Sequence, residues 1–482
     1  MIPNWITQLL AKARSWRAKR REAREIARMQ ERFFDNLEER DMDEDENAAT
    51  QPPPDESINL LCLWVVEFYG PSQIPNLING STQLGWAKRA SEHRESAVEY
   101  MQKARERGDT GSWMSLGTIR KPGDNRFWED SIRADLPRGV DLAIGTMHQV
   151  LPSVTAVAMQ FVFDEVTNKC LQEVLQETYA TELRPIPGSR GRQYMTPRAH
   201  KAERLALARA SLRSRCEFWF NKYLPGVFSA RPFPTRFPAC ELVTLSKGVP
   251  FIDSEERRGY IELLGLDRTW DAWRCEKIPA LKLGWRSFQP TGTDYLMMAA
   301  NEGELAVWAA EHEGYAEIPK LLATSQLGLD RWLVGWSLRG LLEQHSKSIL
   351  ALRDNALHDA TASWFSKALR KTQKELLQLR PDVVSFAEDM SSMKKSGELF
   401  RMGEHKFETL SPRGRSNREL LELVLEQASE ESERLNQGMR SVTDDFMTSV
   451  SLRHQAALTL YTLVIVVLTV VLVILELVRR QQ

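Results

Sequence analysis

The sequence is poor in the residue types that carry most recognisable chemistry. Only five cysteines occur in 482 residues, at Cys62, Cys170, Cys216, Cys240 and Cys275, and no two form a CxxC pair. That spacing excludes a disulfide scaffold and the ordinary zinc-ribbon and zinc-finger patterns. Reduced, mostly buried thiols are expected. The eight histidines are scattered. His312-Glu313 lacks the second histidine of a zinc helix, and His345 and His358 fall on expected helix surfaces. No GxSxG elbow, P-loop or GxGxxG is present. No local motif therefore announces a nucleophilic hydrolase or a nucleotide site. Charge of one sign is also missing, with 64 Lys plus Arg against 65 Asp plus Glu. That balance argues against a nucleic-acid partner. The catalytic residues, if any, stay unknown, and no cofactor or metal is expected.

What the chain does have is one long uncharged run, AALTLYTLVIVVLTVVLVIL, from Ala456 to Leu475. Twenty helical residues span about 30 Å, the thickness of a bilayer's hydrocarbon core. A single transmembrane helix is predicted over 456–478, with Ala456, Leu460, Tyr461, Leu463, Val467, Leu472 and Leu475 as anchor residues. Arg453 before the run and Arg479 and Arg480 after it are placed to reach headgroups. Without a secretory signal at the start, the N-terminal body is expected on the cytoplasmic side.

Residues 1–21 contain no acid. Apolar positions including Trp5 and Trp16 recur at helical spacing, with Arg17, Arg20 and Arg21 among the basic residues around them. Three readings fit this pattern: a helix lying in a lipid interface, a helix packed on the body, or an organelle presequence. The basic, then charged, helical stretch is placed at 1–40. An acidic, proline-rich linker is expected at 41–55, where Asp41-Met42-Asp43-Glu44-Asp45-Glu46 precedes Pro52-Pro53-Pro54. It lacks the glycine and closing glutamate of a calcium loop.

A body of α/β or α+β class is predicted over 56–320. The compact run INLLCLWVVEFY at 58–69 reads as a buried strand, as do 113–119, 140–149 and 154–163. Weaker strands are expected at 242–245, 281–286 and 295–299. Helical patterns cover 166–183 and 198–222. The aromatics Trp219, Phe220, Tyr223, Phe228, Phe233 and Phe237 read either as core or as a binding surface, and the basic loop Gly188–Arg192 as a solvated loop or an anion contact. A helical region follows over 327–400, with an interruption expected at Pro381. The loop around 411–415 is expected to be exposed.

The best-patterned helix is 417–455. Leu421, Leu425, Leu435, Met439, Val442 and Phe446 keep a four-three alternation, a coiled-coil-like heptad seam. Gly438 is a potential weak point in it. The seam is buried either against a neighbouring helix near 360–380 or against the same helix of another subunit. Stalk and anchor together form one rod of about 90 Å.

The stretch DDFMTSVSLRHQ and the apolar run after it resemble the stalk entering the first membrane helix of CorA-type magnesium channels. That resemblance implies an oligomeric channel subunit. The family's Gly-Met-Asn motif and second span are absent, and Gly438-Met439-Arg440 stands before the span, so no pore residue is carried over. Three functions follow from these readings. The first is an anchored binding, interaction or sensor module, with the bilayer and a protein or small-molecule ligand as partners and a homo-oligomer formed through the stalk. The second is an enzyme with a non-local site in the α/β body. The third is the channel subunit.

Overall fold

The computed structural model describes residues 39–87, 95–124, 131–186, 191–229, 236–251, 259–267, 271–288, 293–311, 317–359, 367–396, 407–410 and 420–481. Trp5, Trp16, Arg17, Arg20 and Arg21, and with them the N-terminal helix, lie outside these residues. So do His312, Phe233 and the loop at 411–415. The chain divides into two units.

The first unit holds Met1–Glu56, Lys169–Ala210 and Asp253–Asp267. The acidic stretch expected as a linker is here a helix, α1 (Glu39–Thr50). Two of its acids meet donors more than a hundred residues away. Asp43 accepts from the Thr181 backbone N–H at 2.8 Å, and Glu46 from that of Arg198 at 3.2 Å. Asn47 donates to Tyr179 O at 2.7 Å and accepts from Tyr179 N at 3.0 Å. The Lys201 ammonium, fully buried, reaches Asn47 O at 3.4 Å.

The second unit carries the sheet. In chain order its elements begin with β1 (Ile58–Tyr69), α2 (Ile74–Gln83), α3 (Ala97–Arg107), β2 (Ser112–Arg120), β3 (Ser131–Arg133), β4 (Val140–Leu151) and β5 (Val154–Phe163). Next come α4 (Glu165–Gln176), which belongs to the first unit from Lys169 on, the first-unit hairpin β6 (Glu182–Pro185) and β7 (Arg192–Met195), α5 (Pro197–Tyr223), which belongs to the first unit as far as Ala210, β8 (Ala239–Leu245) and the first-unit helix α6 (Gly259–Leu264). The chain ends with β9 (Asp271–Cys275), β10 (Leu281–Phe288), β11 (Thr293–Asn301), α7 (Glu302–Glu311), α8 (Glu317–Asp359), α9 (Lys367–Ser396), β12 (Phe407–Thr409) and α10 (Leu420–Gln481).

Ten strands form one mixed sheet, ordered β12-β9-β10-β11-β8-β1-β5-β4-β2-β3. The pairs β8–β11 and β2–β3 are parallel, and the others antiparallel. The body is thus an α/β body with a large mixed sheet. β1 is buried along almost its whole length, which is why it reads as a near-continuous apolar run rather than an alternation. Trp219 and Phe220 of α5 pack edge-on against Phe161 of β5, at ring distances of 5.7 and 6.4 Å. Of the described aromatics of that stretch, Trp219, Phe220, Phe228 and Phe237 are buried core and Tyr223 is half-buried. The long helix α8 crosses β1, β5 and β4, and its Trp332 meets Phe407 of β12 at 4.7 Å.

α2 lies close to the end of α5 through Gly80. A Cβ there would overlap the Tyr223 carbonyl oxygen and come within 2.8 Å of Leu224 Cδ2. Gly80→Ala is expected to lower stability by about 1–3 kcal/mol, read as a fall in the thermal midpoint. An unchanged midpoint would mean that α2 is free to shift.

Three helix expectations change. The helix expected over 166–183 stops at Gln176, and residues 182–185 form strand β6. α9 runs through Pro381 without a break. Proline removes the hydrogen bond to the carbonyl four residues back; Pro381 and Leu377 are both exposed, so water is at hand for that carbonyl. α10 likewise runs through Gly438, where a Cβ would make an ordinary contact at 3.9 Å with Ile349. The heptad face of α10 is covered by the chain itself. Met439, Val442 and Phe446, with half-buried Leu435, pack against Ile349 and Leu352 of α8 and Leu376, Leu379 and Val383 of α9. Thr443 donates back to Met439 O at 2.7 Å, so the seam's hydroxyl is satisfied within its own helix. The side chains of Leu421 and Leu425 lie outside the described residues.

Beyond Phe446 the cover ends. Leu458, Leu460, Tyr461, Leu463 and every residue from Val464 to Leu468 are exposed. Among the described residues, no helix is long and apolar enough to cross a membrane. Side chains of the uncharged run are described only as far as Thr469, so Leu472, Leu475, Arg479 and Arg480 fall outside, as does that of Arg453.

Candidate functional site: a basic cleft of the second unit

A cleft of about 660 Å³ opens between α8, α10, the second half of α5 and the chain leading into β8. Its floor is apolar, with Phe228, Phe237, Trp336 and Ile349 each buried. Gly340 brings α8 against this floor: a Cβ would sit 3.0 Å from Pro238 Cγ and 3.4 Å from Phe228 Cζ.

The rim is cationic. Arg213, Arg236, Arg339, Lys347 and Arg434 line the cleft, against Glu343 and Glu431. These cations differ in how they are held. Arg213 is buried, bonded to Glu217 at 2.9 Å and to the Phe237 carbonyl. Lys347 pairs with Glu343 one turn away at 2.6 Å. Arg339 lies over the Trp285 ring at 4.8 Å. Arg236 and Arg434 are exposed and have no ion pair among the described residues.

Glu67 of β1 sets the position of the Phe228 wall. Its fully buried carboxylate accepts from the backbone N–H groups of Phe68 and Phe228, both at 2.9 Å. It also accepts from the Ser229 N–H at 3.1 Å and the Ser229 hydroxyl at 2.7 Å. Burial pushes its pKa up to about 7 against these stabilising bonds. Gly226 makes room for it, since a Cβ there would lie 2.6 Å from Glu67 Cγ. Tyr69 adds a second pin, donating to Leu224 O at 2.7 Å.

Other polar groups are spent on structure. Asp382 of α9 accepts from Ser72 N at 2.9 Å, Ser72 Oγ at 2.6 Å and Gln73 Nε2 at 3.0 Å. Asp389 accepts from Ser153 N at 2.7 Å. These carboxylates dock α9 onto two loops. His148 bonds Thr146 Oγ1 at 3.1 Å inside the sheet. His345, expected on a helix surface, is buried beside Phe386 instead, because α8 is enclosed there by sheet and helices. Cys62, Cys216, Cys240 and Cys275 are buried free thiols and Cys170 is exposed. Burial pushes the Cys275 thiol up to about 11 and also raises the thiols of Cys62, Cys216 and Cys240 well above the ordinary range, so they are poor nucleophiles at neutral pH. No group of metal-ligating side chains meets among the described residues.

The cleft was not foreseeable from local motifs. Its walls come from residues 213, 228, 236–238, 336–350 and 427–438, and no spacing rule links them. The seam residues Leu435, Met439, Val442 and Phe446 were visible as a stripe, and Leu435 also borders the cleft. In comparisons with known proteins, the chain matches no family model and no curated protein.

Proposed function

We propose that the chain is a single-pass membrane protein, anchored by its C-terminal helix, whose α/β body faces the cytoplasm and binds a ligand or partner. One observation carries the reading. The end of α10 presents apolar side chains at every successive position from Val464 to Leu468, and so around its whole circumference. Covering each Leu, Val or Ile is favourable by about 1.5–3 kcal/mol. Leaving the whole run in water forgoes an amount comparable to a domain's total stability, about 5–15 kcal/mol. A helix packed on a protein core needs only one stripe; this segment wants an apolar surrounding on all sides. Its hydroxyls agree: Thr459, Thr462 and Thr469 each donate to the carbonyl four residues back, at 2.8–2.9 Å. They need no water partner.

The test is membrane extraction of the full-length chain beside a chain ending at residue 455. The full-length protein is expected to stay with the membranes through alkaline carbonate and to float with vesicles. The shortened chain is expected in the supernatant. Release of the full-length protein by carbonate sinks the anchor.

A further inference from the structure

We infer that the cleft between α8, α10 and the chain leading into β8 binds a small organic anion that carries an apolar or aromatic group, such as an aryl or acyl phosphate or carboxylate. The inference rests on reading the body as a binding module, and is independent of the anchor.

Three features converge on this class of ligand. The volume, about 660 Å³, lies within the range of small-molecule sites, about 300–1,000 Å³. The floor of Phe228, Phe237 and Trp336 offers flat apolar surface to a ring or chain. The rim carries five cations against two carboxylates, and two of the cations, Arg236 and Arg434, have no anion to answer them among the described residues. Two guanidiniums at the mouth suit phosphate or carboxylate, whose oxygens accept paired N–H bonds. A neutral apolar ligand leaves that charge unused. A highly charged polyanion with no apolar part leaves the floor unused.

A phospholipid headgroup shares this chemistry, but the geometry favours a dissolved anion. Gly438, at the cleft, and Ala456, at the start of the uncharged run, belong to one helix. Their separation along it is about 27 Å.

The experiment uses the full-length protein in nanodiscs of zwitterionic lipid, with 1-naphthyl phosphate as the probe and 1-naphthol as its neutral counterpart, read by fluorescence anisotropy. Saturable binding of 1-naphthyl phosphate at one site per chain is expected, with 1-naphthol binding more weakly by roughly tenfold or more. The variant Arg236→Ala/Arg434→Ala alters only exposed side chains and is expected to lose affinity by a similar factor. Ser346→Trp, which fills the half-exposed side of the cleft, is expected to lose binding too. Binding that does not saturate, or that is equal in wild type and both variants, overturns the inference. Displacement of the probe by anionic lipid in the disc assigns the site to a headgroup and also overturns it. Failure of the anchor shows separately, as release by carbonate, and leaves probe binding to the released protein measurable.

Discussion

Met439→Asp is expected to unseat the last helix from the body. Met439 is fully buried where α10 meets α8 and α9. Losing a buried methionine side chain costs about 2–5 kcal/mol. The aspartate adds a charge with no cation in that apolar layer, made up of Ile349, Leu352, Leu376, Leu379, Val383, Val442 and Phe446. It must either stay ionised at a cost of several kcal/mol or take up a proton. The sum approaches the whole stability of an ordinary domain. Denaturant unfolding followed by tryptophan fluorescence should show a large fall in midpoint, or no folded protein at all. Met439→Leu should cost under about 1.5 kcal/mol. Arg440→Asp, one residue away on the exposed side, should shift stability by about 0.5 kcal/mol or less. Equal midpoints for Met439→Asp and Arg440→Asp would mean that the three-helix layer does not hold the molecule together. The same layer bears on subunit number: with its seam covered internally, the protein is expected to be a monomer by detergent-corrected light scattering.

The second large effect sits at Glu67, and its sign depends on pH. The group's pKa rises from an ordinary 4.5 to about 7 on folding. A folded state that holds its proton more tightly gains stability as pH falls, so the contribution is complete below about 4.5 and is lost as pH rises through about 7. Over that window the change is about 3 kcal/mol. Glu67→Gln carries no titrating proton and should remove this slope. Its amide also sets a donor against the Ser229 N–H, at a cost of about 1–3 kcal/mol. Relative to wild type, the variant should therefore be clearly weaker at pH 5 and much closer at pH 8. Glu67→Ala should be worse at both, by more than about 3 kcal/mol, because the three backbone N–H groups and the Ser229 hydroxyl lose their acceptor inside a closed space. Parallel stability curves for wild type and Glu67→Gln from pH 5 to 8 would show that Glu67 does not titrate there. Phe228 both donates its backbone N–H to this carboxylate and forms a wall of the cleft, so Glu67→Ala should also weaken 1-naphthyl phosphate binding.

Elements whose partners do not matter were legible in the sequence. The run at 58–69 is apolar because both faces of β1 are covered, whatever covers them. The helical pattern at 198–222 and the stripe at 435–446 likewise needed only their own periodicity. What failed depended on distant groups. The acids at 41–46 read as a solvated linker because nothing nearby in sequence neutralises them; Thr181 and Arg198 supply the backbone donors. Pro381 read as a break because its neighbours were unknown, and its exposed setting makes the lost bond tolerable. Glu67 looked like one charge in an apolar strand. Its role depends on Gly226 and Ser229 folding back over it. The cleft is the extreme case, since its two exposed arginines stand 198 positions apart in the chain, at 236 and 434.

The uninterrupted course of α10 has a mechanical consequence. The same helix forms a wall of the cleft at Gln427–Gly438, is clamped at Met439–Phe446, and continues into the bare apolar end with no turn between them. A hinge would let the two ends move independently. A continuous helix behaves instead as a lever whose fulcrum is the clamped layer. Tilting or drawing the apolar end must then either shear that layer or carry the cleft wall with it.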